Sequence, residues 1–155
     1  MLEKLLQDYE FSHSNKVNRA IHKICVPLIT YSLLGLCWNL EKNFCFAFIA
    51  GAFYYYSKLS FKLSLYMLLF IIPILPVFLW IEKNSSLSLF SLSLWIFSLS
   101  WVFQFIGHHI EGKKPSFLKD LQFFLIGPVW TLSFLINKRY WMPCKSLPDG
   151  QNQNS

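Results

Sequence analysis

The chain has 155 residues, of which 54% are apolar and 14% charged, with a formal charge of +6. A mean hydropathy of +0.39, set against the roughly 25% charge of soluble domains, argues against a soluble globular protein. The apolar residues fall in long runs, which points to one polytopic membrane domain. The basic excess is explained by loops that stay on the cytoplasmic side, so nucleic-acid binding is not expected.

Residues 2–11 place Leu2, Leu5, Leu6 and Tyr9 at helical spacing between charged residues. That pattern predicts a short amphipathic helix at the membrane surface rather than a cleavable signal peptide. Ser12, His13, Ser14 and Asn15 form a polar break, and Ser14 or Asn15 can cap a following helix. On that helix Asn18 and His22 are four residues apart and share a face.

The first apolar run, 24–40, contains Pro27, where a kink is predicted. A short second run, 44–56, ends in Tyr54, Tyr55 and Tyr56. The third, 63–81, contains Pro73 and Pro76 and should bend there. In the fourth, 87–107, serine recurs among Leu, Phe and Trp, as suits close packing of membrane helices. The last run, 121–136, is short and divided by Gly127 and Pro128, so it reads as a re-entrant, tilted or broken segment. Residues 1–143 are thus one all-α, membrane-embedded helix bundle. It has about four transmembrane helices, an N-terminal interfacial helix and a short broken C-terminal helix, followed by a tail, 144–155, predicted to be disordered. Cys25, Cys37, Cys45 and Cys144 lack metal or redox spacing and are read as free thiols.

Four spans with the N-terminus inside put Lys4, Lys16, Arg19, Lys23, Lys58, Lys62, Lys113, Lys114 and Lys119 in the cytoplasm. Only Lys42 and Lys83 fall outside, and Lys138, Arg139 and Lys145 stay unassigned. The same topology returns His108 and His109 to the membrane face of His13 and His22. These are the four histidines of the chain.

Imidazole is the commonest transition-metal ligand, and a histidine at a membrane span needs a partner or a role. His13, His22, His108 and His109 are therefore candidate metal ligands; the bland alternative is four interfacial histidines bonded to headgroups or carbonyls. His13 and His22 can share one ion only across a chain break. His108 and His109 diverge by about 100° on a helix, so both reach one ion only if the helix ends there, which Gly107 and Gly112 would allow. Glu111 and Asn18 are candidate catalytic groups. Glu111 can alternatively pair with Lys113 or Lys114, and Asn18 can cap a helix or support His22, a role for which Gln104 is a weaker candidate. Arg19, Lys23 and Lys113 could receive a substrate carboxylate. Nitrogen ligation with an optional carboxylate suits Fe, Zn, Cu or Ni. Nucleotide and c-type haem motifs are missing, and haem b between histidine pairs is a less favoured reading.

The motif H-x4-N-x3-H at His13, Asn18 and His22, with Pro27 after it, resembles the N-terminal signature of the 2-hydroxy fatty acid dioxygenases. These are small polytopic membrane proteins of fungi and bacteria, of which the fungal member acts in fatty-acid α-oxidation. QFIGHHIEGKKPSF, followed by a run ending in Ile126–Pro128, resembles the second motif of the same family, and the likeness spans residues 9–136. It implies Fe(II) held by histidines, carried over most directly to His13, His22 and His108. It also implies conversion of a long-chain 2-hydroxy fatty acid and O2 to the acid one carbon shorter plus CO2. No obligate protein partner is evident. The expected location is a bacterial inner membrane with the histidine site cytoplasmic, or the endoplasmic reticulum in a eukaryote. A non-enzymatic lipid-binding or scaffold bundle and a zinc-dependent membrane hydrolase are the alternatives.

Overall fold

A computed structural model describes residues 15–112 and 127–132, and every element in them is helical. In chain order these are α1 (Lys16–Leu40), α2 (Lys42–Leu59), α3 (Phe61–Ile71), α4 (Ile74–Asn84) and α5 (Leu89–Glu111), with a further helical stretch at 127–132. Among the described residues, three helical stretches are long and apolar enough to cross a membrane: Lys16–Leu40, Phe61–Asn84 and Leu89–Glu111. The second of these is α3 and α4 taken together. The expected short second span, α2, is not among them. The predicted interfacial helix at 2–11 and the tail lie outside the described residues.

Local chemistry explains the boundaries. Asn15 caps α1, its side-chain oxygen accepting from the N–H groups of Val17 at 2.8 Å and Asn18 at 3.4 Å, so two N–H groups lacking helical partners are satisfied. The helix then runs unbroken through Pro27. Glu41 and Ser60 each interrupt the chain as a single extended residue, which folds α1, α2 and α3 back on one another with almost no loop. The third apolar run does break where its prolines predict: α3 ends at Ile71, and Pro73 opens α4. Proline lacks the N–H that the interior of a helix requires but is tolerated in the first turn. Beside this break the Tyr31 hydroxyl donates to the Phe70 carbonyl at 3.0 Å.

The elements run alternately up and down, counting α3 and α4 as one leg. At one end Trp38 of α1 donates its indole N–H to Glu82 of α4 at 3.1 Å, and Lys42 of α2 pairs with the same carboxylate at 3.3 Å. At the other end lie the start of α1, the α2–α3 turn and the end of α5. Two apolar clusters fill the bundle. One joins Leu34, Cys37, Trp38, Cys45, Ile71, Phe78 and Leu89. The other joins Tyr56, Leu63 and Met67 to Val129, Trp130 and Leu132. So the described part of the last apolar run packs as helix into the core. Cys25, Cys37 and Cys45 are free thiols, all buried, as expected; Cys144 lies outside the described residues.

The α1–α5 pair is antiparallel and positions the site. The buried residues of α5 are Leu89, Ser93, Ser100, Gln104 and Gly107. Facing them, α1 buries Asn18, His22, Cys25, Ile29, Ser32 and Gly35, among others. Small and polar residues let the two backbones approach, which is how helices associate where lipid removes the hydrophobic drive. The outer face of α5 exposes Trp95, Leu99, Phe103, Ile106 and Ile110, a surface suited to lipid.

Candidate functional site

Two glycines set the approach of α1 and α5. A methyl group on Gly35 of α1 would run into the Ser93 hydroxyl of α5, and one on Gly107 of α5 would run into the Asn18 side-chain oxygen of α1. Each helix thus contributes one glycine, near opposite ends of the seam, and receives a polar side chain from its partner. Gly107 was a candidate helix terminator from the sequence. The structure carries α5 through it to Glu111 and ends the helix at Gly112, whose φ of 70° is left-handed.

This register brings His22 and His108 together. Their rings meet edge to face with centroids 5.1 Å apart and planes at 88°. His22 is buried at 3% exposure, and its Nδ1 lies 3.0 Å from the Asn18 carbonyl oxygen. A carbonyl can only accept, so Nδ1 carries the hydrogen, an arrangement that in a neutral ring leaves the lone pair at Nε2. That is how metal-binding imidazoles are ordinarily oriented. His109 is exposed on α5, about 100° round the helix from His108. His13 lies outside the described residues.

Beyond the histidine pair, Glu111 reaches from α5 to the start of α1. Its two oxygens lie 3.1 and 3.2 Å from the Asn15 backbone nitrogen, and the Asn18 amide donates to Oε2 at 2.7 Å. Asn18 is fully buried. Its Oδ1, pressed against Gly107, has no hydrogen-bond partner among the described residues, and neither has Oε1 of buried Gln104, one turn before His108. Arg19 is half-buried and Lys23 exposed, both on the first turns of α1; Lys113 lies outside the described residues.

Does this donor set fit a metal? Two imidazoles bound to one first-row ion through nitrogens at about 2.1 Å place their centroids roughly 5 Å apart, close to the observed spacing. The spacing of His22 and His108 thus matches that of two neighbouring ligands on such an ion. Among the described residues, however, no group of three or more His, Cys, Asp or Glu could hold one. A complete set would need further donors, and His13 and His109 are the remaining histidines of the chain.

The sequence paired His22 with His108 correctly in space. It did not place Glu111 on Asn15 and Asn18, nor bury Gln104, nor match Gly35 with Ser93. The i, i+3, i+7 spacing of Gln104, Gly107 and Glu111 was the one available sign that they share a face.

Residues 1–139 match the family model described as 2-hydroxy-palmitic acid dioxygenase Mpo1-like. The chain is 29% identical to the 2-hydroxy-palmitic acid dioxygenase of Saccharomyces cerevisiae, covering 92% of this chain and 83% of the yeast protein. No solved structure matches.

Proposed function

Because the chain belongs to the Mpo1-like family of 2-hydroxy-palmitic acid dioxygenases, we propose that it is a membrane-embedded, Fe(II)-dependent dioxygenase of 2-hydroxy fatty acids. The observation that carries this reading is the meeting of His22 and His108 at 5.1 Å, with Nδ1 of His22 already turned to a carbonyl. In this reading His22 and His108 hold the iron and His13 supplies further nitrogen, since α5 continues past His109 and turns it about 100° away from His108. Bound Fe(II) supplies open coordination positions and the electron transfer that ground-state O2 requires.

The substrate enters with its head at the polar end of the bundle and its tail among apolar helices. Arg19, Lys23 and Lys113 are the cations proposed to meet its carboxylate. The bond between the carboxyl carbon and the hydroxyl-bearing carbon breaks. One 2-hydroxy acid and one O2 become the acid one carbon shorter, CO2 and water. The substrate provides all four electrons that O2 takes up, so no flavin or nicotinamide is needed. The lysine asymmetry supports a cytoplasmic site, since Lys16, Lys23, Lys58 and Lys62 fall at the histidine end and Lys42 and Lys83 at the other. A bacterial inner membrane is the proposed location.

The test is direct. Membranes containing the protein are given 2-hydroxypalmitate and Fe(II), with and without O2, and the odd-chain acid is measured. Product in air and none under argon is expected. Odd-chain acid formed under argon would show that O2 is not the oxidant, and no product in either would sink the assignment.

A further inference from the structure

Glu111 sits one helical turn from His108 on α5, and Asn18 sits one turn from His22 on α1. The contact between them therefore neighbours the histidine pair on both helices. Its geometry has a known counterpart within single helices. In a capping box, the N-cap side chain accepts from N–H groups of the first turn, while a Glu three residues on reaches back to the N-cap backbone N–H. Here Asn15 is the N-cap and serves Val17 and Asn18. The residue three places on is Asn18, whose side chain cannot serve as that carboxylate. Glu111 supplies it from the other helix, accepting from the Asn15 N–H and held by the Asn18 amide at 2.7 Å. The carboxylate also sits at the positive end of the α1 dipole.

We propose that Glu111 is a positioning residue which completes the α1 capping box across the bundle and thereby fixes the register at which His22 faces His108. Its oxygens accept from Asn15 and Asn18, and protonating the carboxylate would weaken its hold on both donors. Turning α1 by one residue would carry both Asn18 and His22 about 100° away, so the clamp and the histidine pair hold or fail together. The role in register stands on the hydrogen bonds alone. The effect on catalysis rests on the function proposed above.

The experiment uses the full chain in nanodiscs, with Glu111→Gln, Glu111→Ala, Asn18→Ala and the Asn18→Ala/Glu111→Ala double variant. Spin labels at exposed Val17 and Ile110, introduced as cysteines after the native ones are replaced, report the separation of the two helix ends. Fe(II) affinity and turnover are read in parallel. Glu111→Gln keeps an amide oxygen for the same donors, so it should hold the wild-type distance and stay within about threefold in affinity and turnover. Glu111→Ala should broaden the distance distribution and lose roughly 10–100-fold in Fe(II) affinity. The double variant should be no worse than Glu111→Ala, because both changes remove one contact. If Glu111→Ala does not insert as folded protein, Glu111→Asp, one methylene shorter, should show a smaller broadening. A Glu111→Gln variant that is inactive at an unchanged distance would make Glu111 a reacting group and overturn the proposal. So would a Glu111→Ala variant with unchanged distance and affinity. Wild-type protein with neither iron nor turnover would defeat the proposed function, while the spin-label distances would still decide the role of Glu111.

Discussion

The imidazoles of His22 on α1 and His108 on α5 meet edge to face with centroids 5.1 Å apart. If they share an ion, neither can be replaced by the other. His22→Ala and His108→Ala should each lower bound iron to background and turnover by more than about 100-fold, beyond what loss of a supporting residue typically does. Metal analysis of protein purified without a histidine tag checks this. Full iron content in both variants would remove the pair from the site.

Three glycines should respond differently to the same added methyl group. At Gly51 of α2 a Cβ meets nothing within 4 Å, so Gly51→Ala should be neutral or stabilising by about 0.5–1 kcal/mol through helix propensity. At Gly35 it meets the Ser93 hydroxyl, which can rotate aside, and the Ser93 Cβ at 3.2 Å, which must give slightly, so the loss should be intermediate. At Gly107 it meets the Asn18 oxygen, whose amide is tied to Glu111 at 2.7 Å. Gly107→Ala should therefore be the worst of the three, at about 1–3 kcal/mol, and should lower turnover as well. Reversible unfolding in detergent gives the order, and a Gly107→Ala protein as stable as wild type would mean the two helices separate easily.

Much of this fold was legible in the sequence because it is written in local chemistry. The Asn15 cap, the break at Pro73 and the serine seam of α5 depend on residues within a turn or two of one another. Gly107 was misread because a glycine that ends a helix and one that admits a neighbour look alike in sequence. Only the register of α1 against α5 tells them apart. Glu111 was open to an ion pair with Lys113 or Lys114 for the same reason: its observed partners, Asn15 and Asn18, are 96 and 93 residues away. The even number of crossings that brought His22 and His108 to one end was inferred from lysine placement, although α2 is not apolar enough to be counted a span by composition.

Gln104 is 5% exposed, and its Oε1 has no partner among the described residues. An unsatisfied buried acceptor is unfavourable by about 1–3 kcal/mol. Leucine has a similar size and no such demand. Gln104→Leu is expected to raise stability by about 1 kcal/mol, read as a shift in the unfolding midpoint. A destabilised variant would show that the amide oxygen is satisfied, for instance by a buried water.

The far end of the bundle offers a control for where the chemistry lies. Glu82 receives the Trp38 indole N–H at 3.1 Å and Lys42 at 3.3 Å, but belongs to the end away from the histidines. The Lys42 pair is largely solvated, with side chains 53% and 33% exposed, and such pairs contribute about 0–1 kcal/mol. The larger share comes from Trp38, which is 5% exposed and would lose its acceptor. Glu82→Ala should thus cost about 1–2 kcal/mol of stability, and Glu82→Gln, which keeps an oxygen for the indole, much less. Neither should change iron content or turnover at a temperature where both are folded. A loss of iron in Glu82→Gln would mean that the two ends are coupled through α1, and that the site is not confined to the start of α1 and the end of α5.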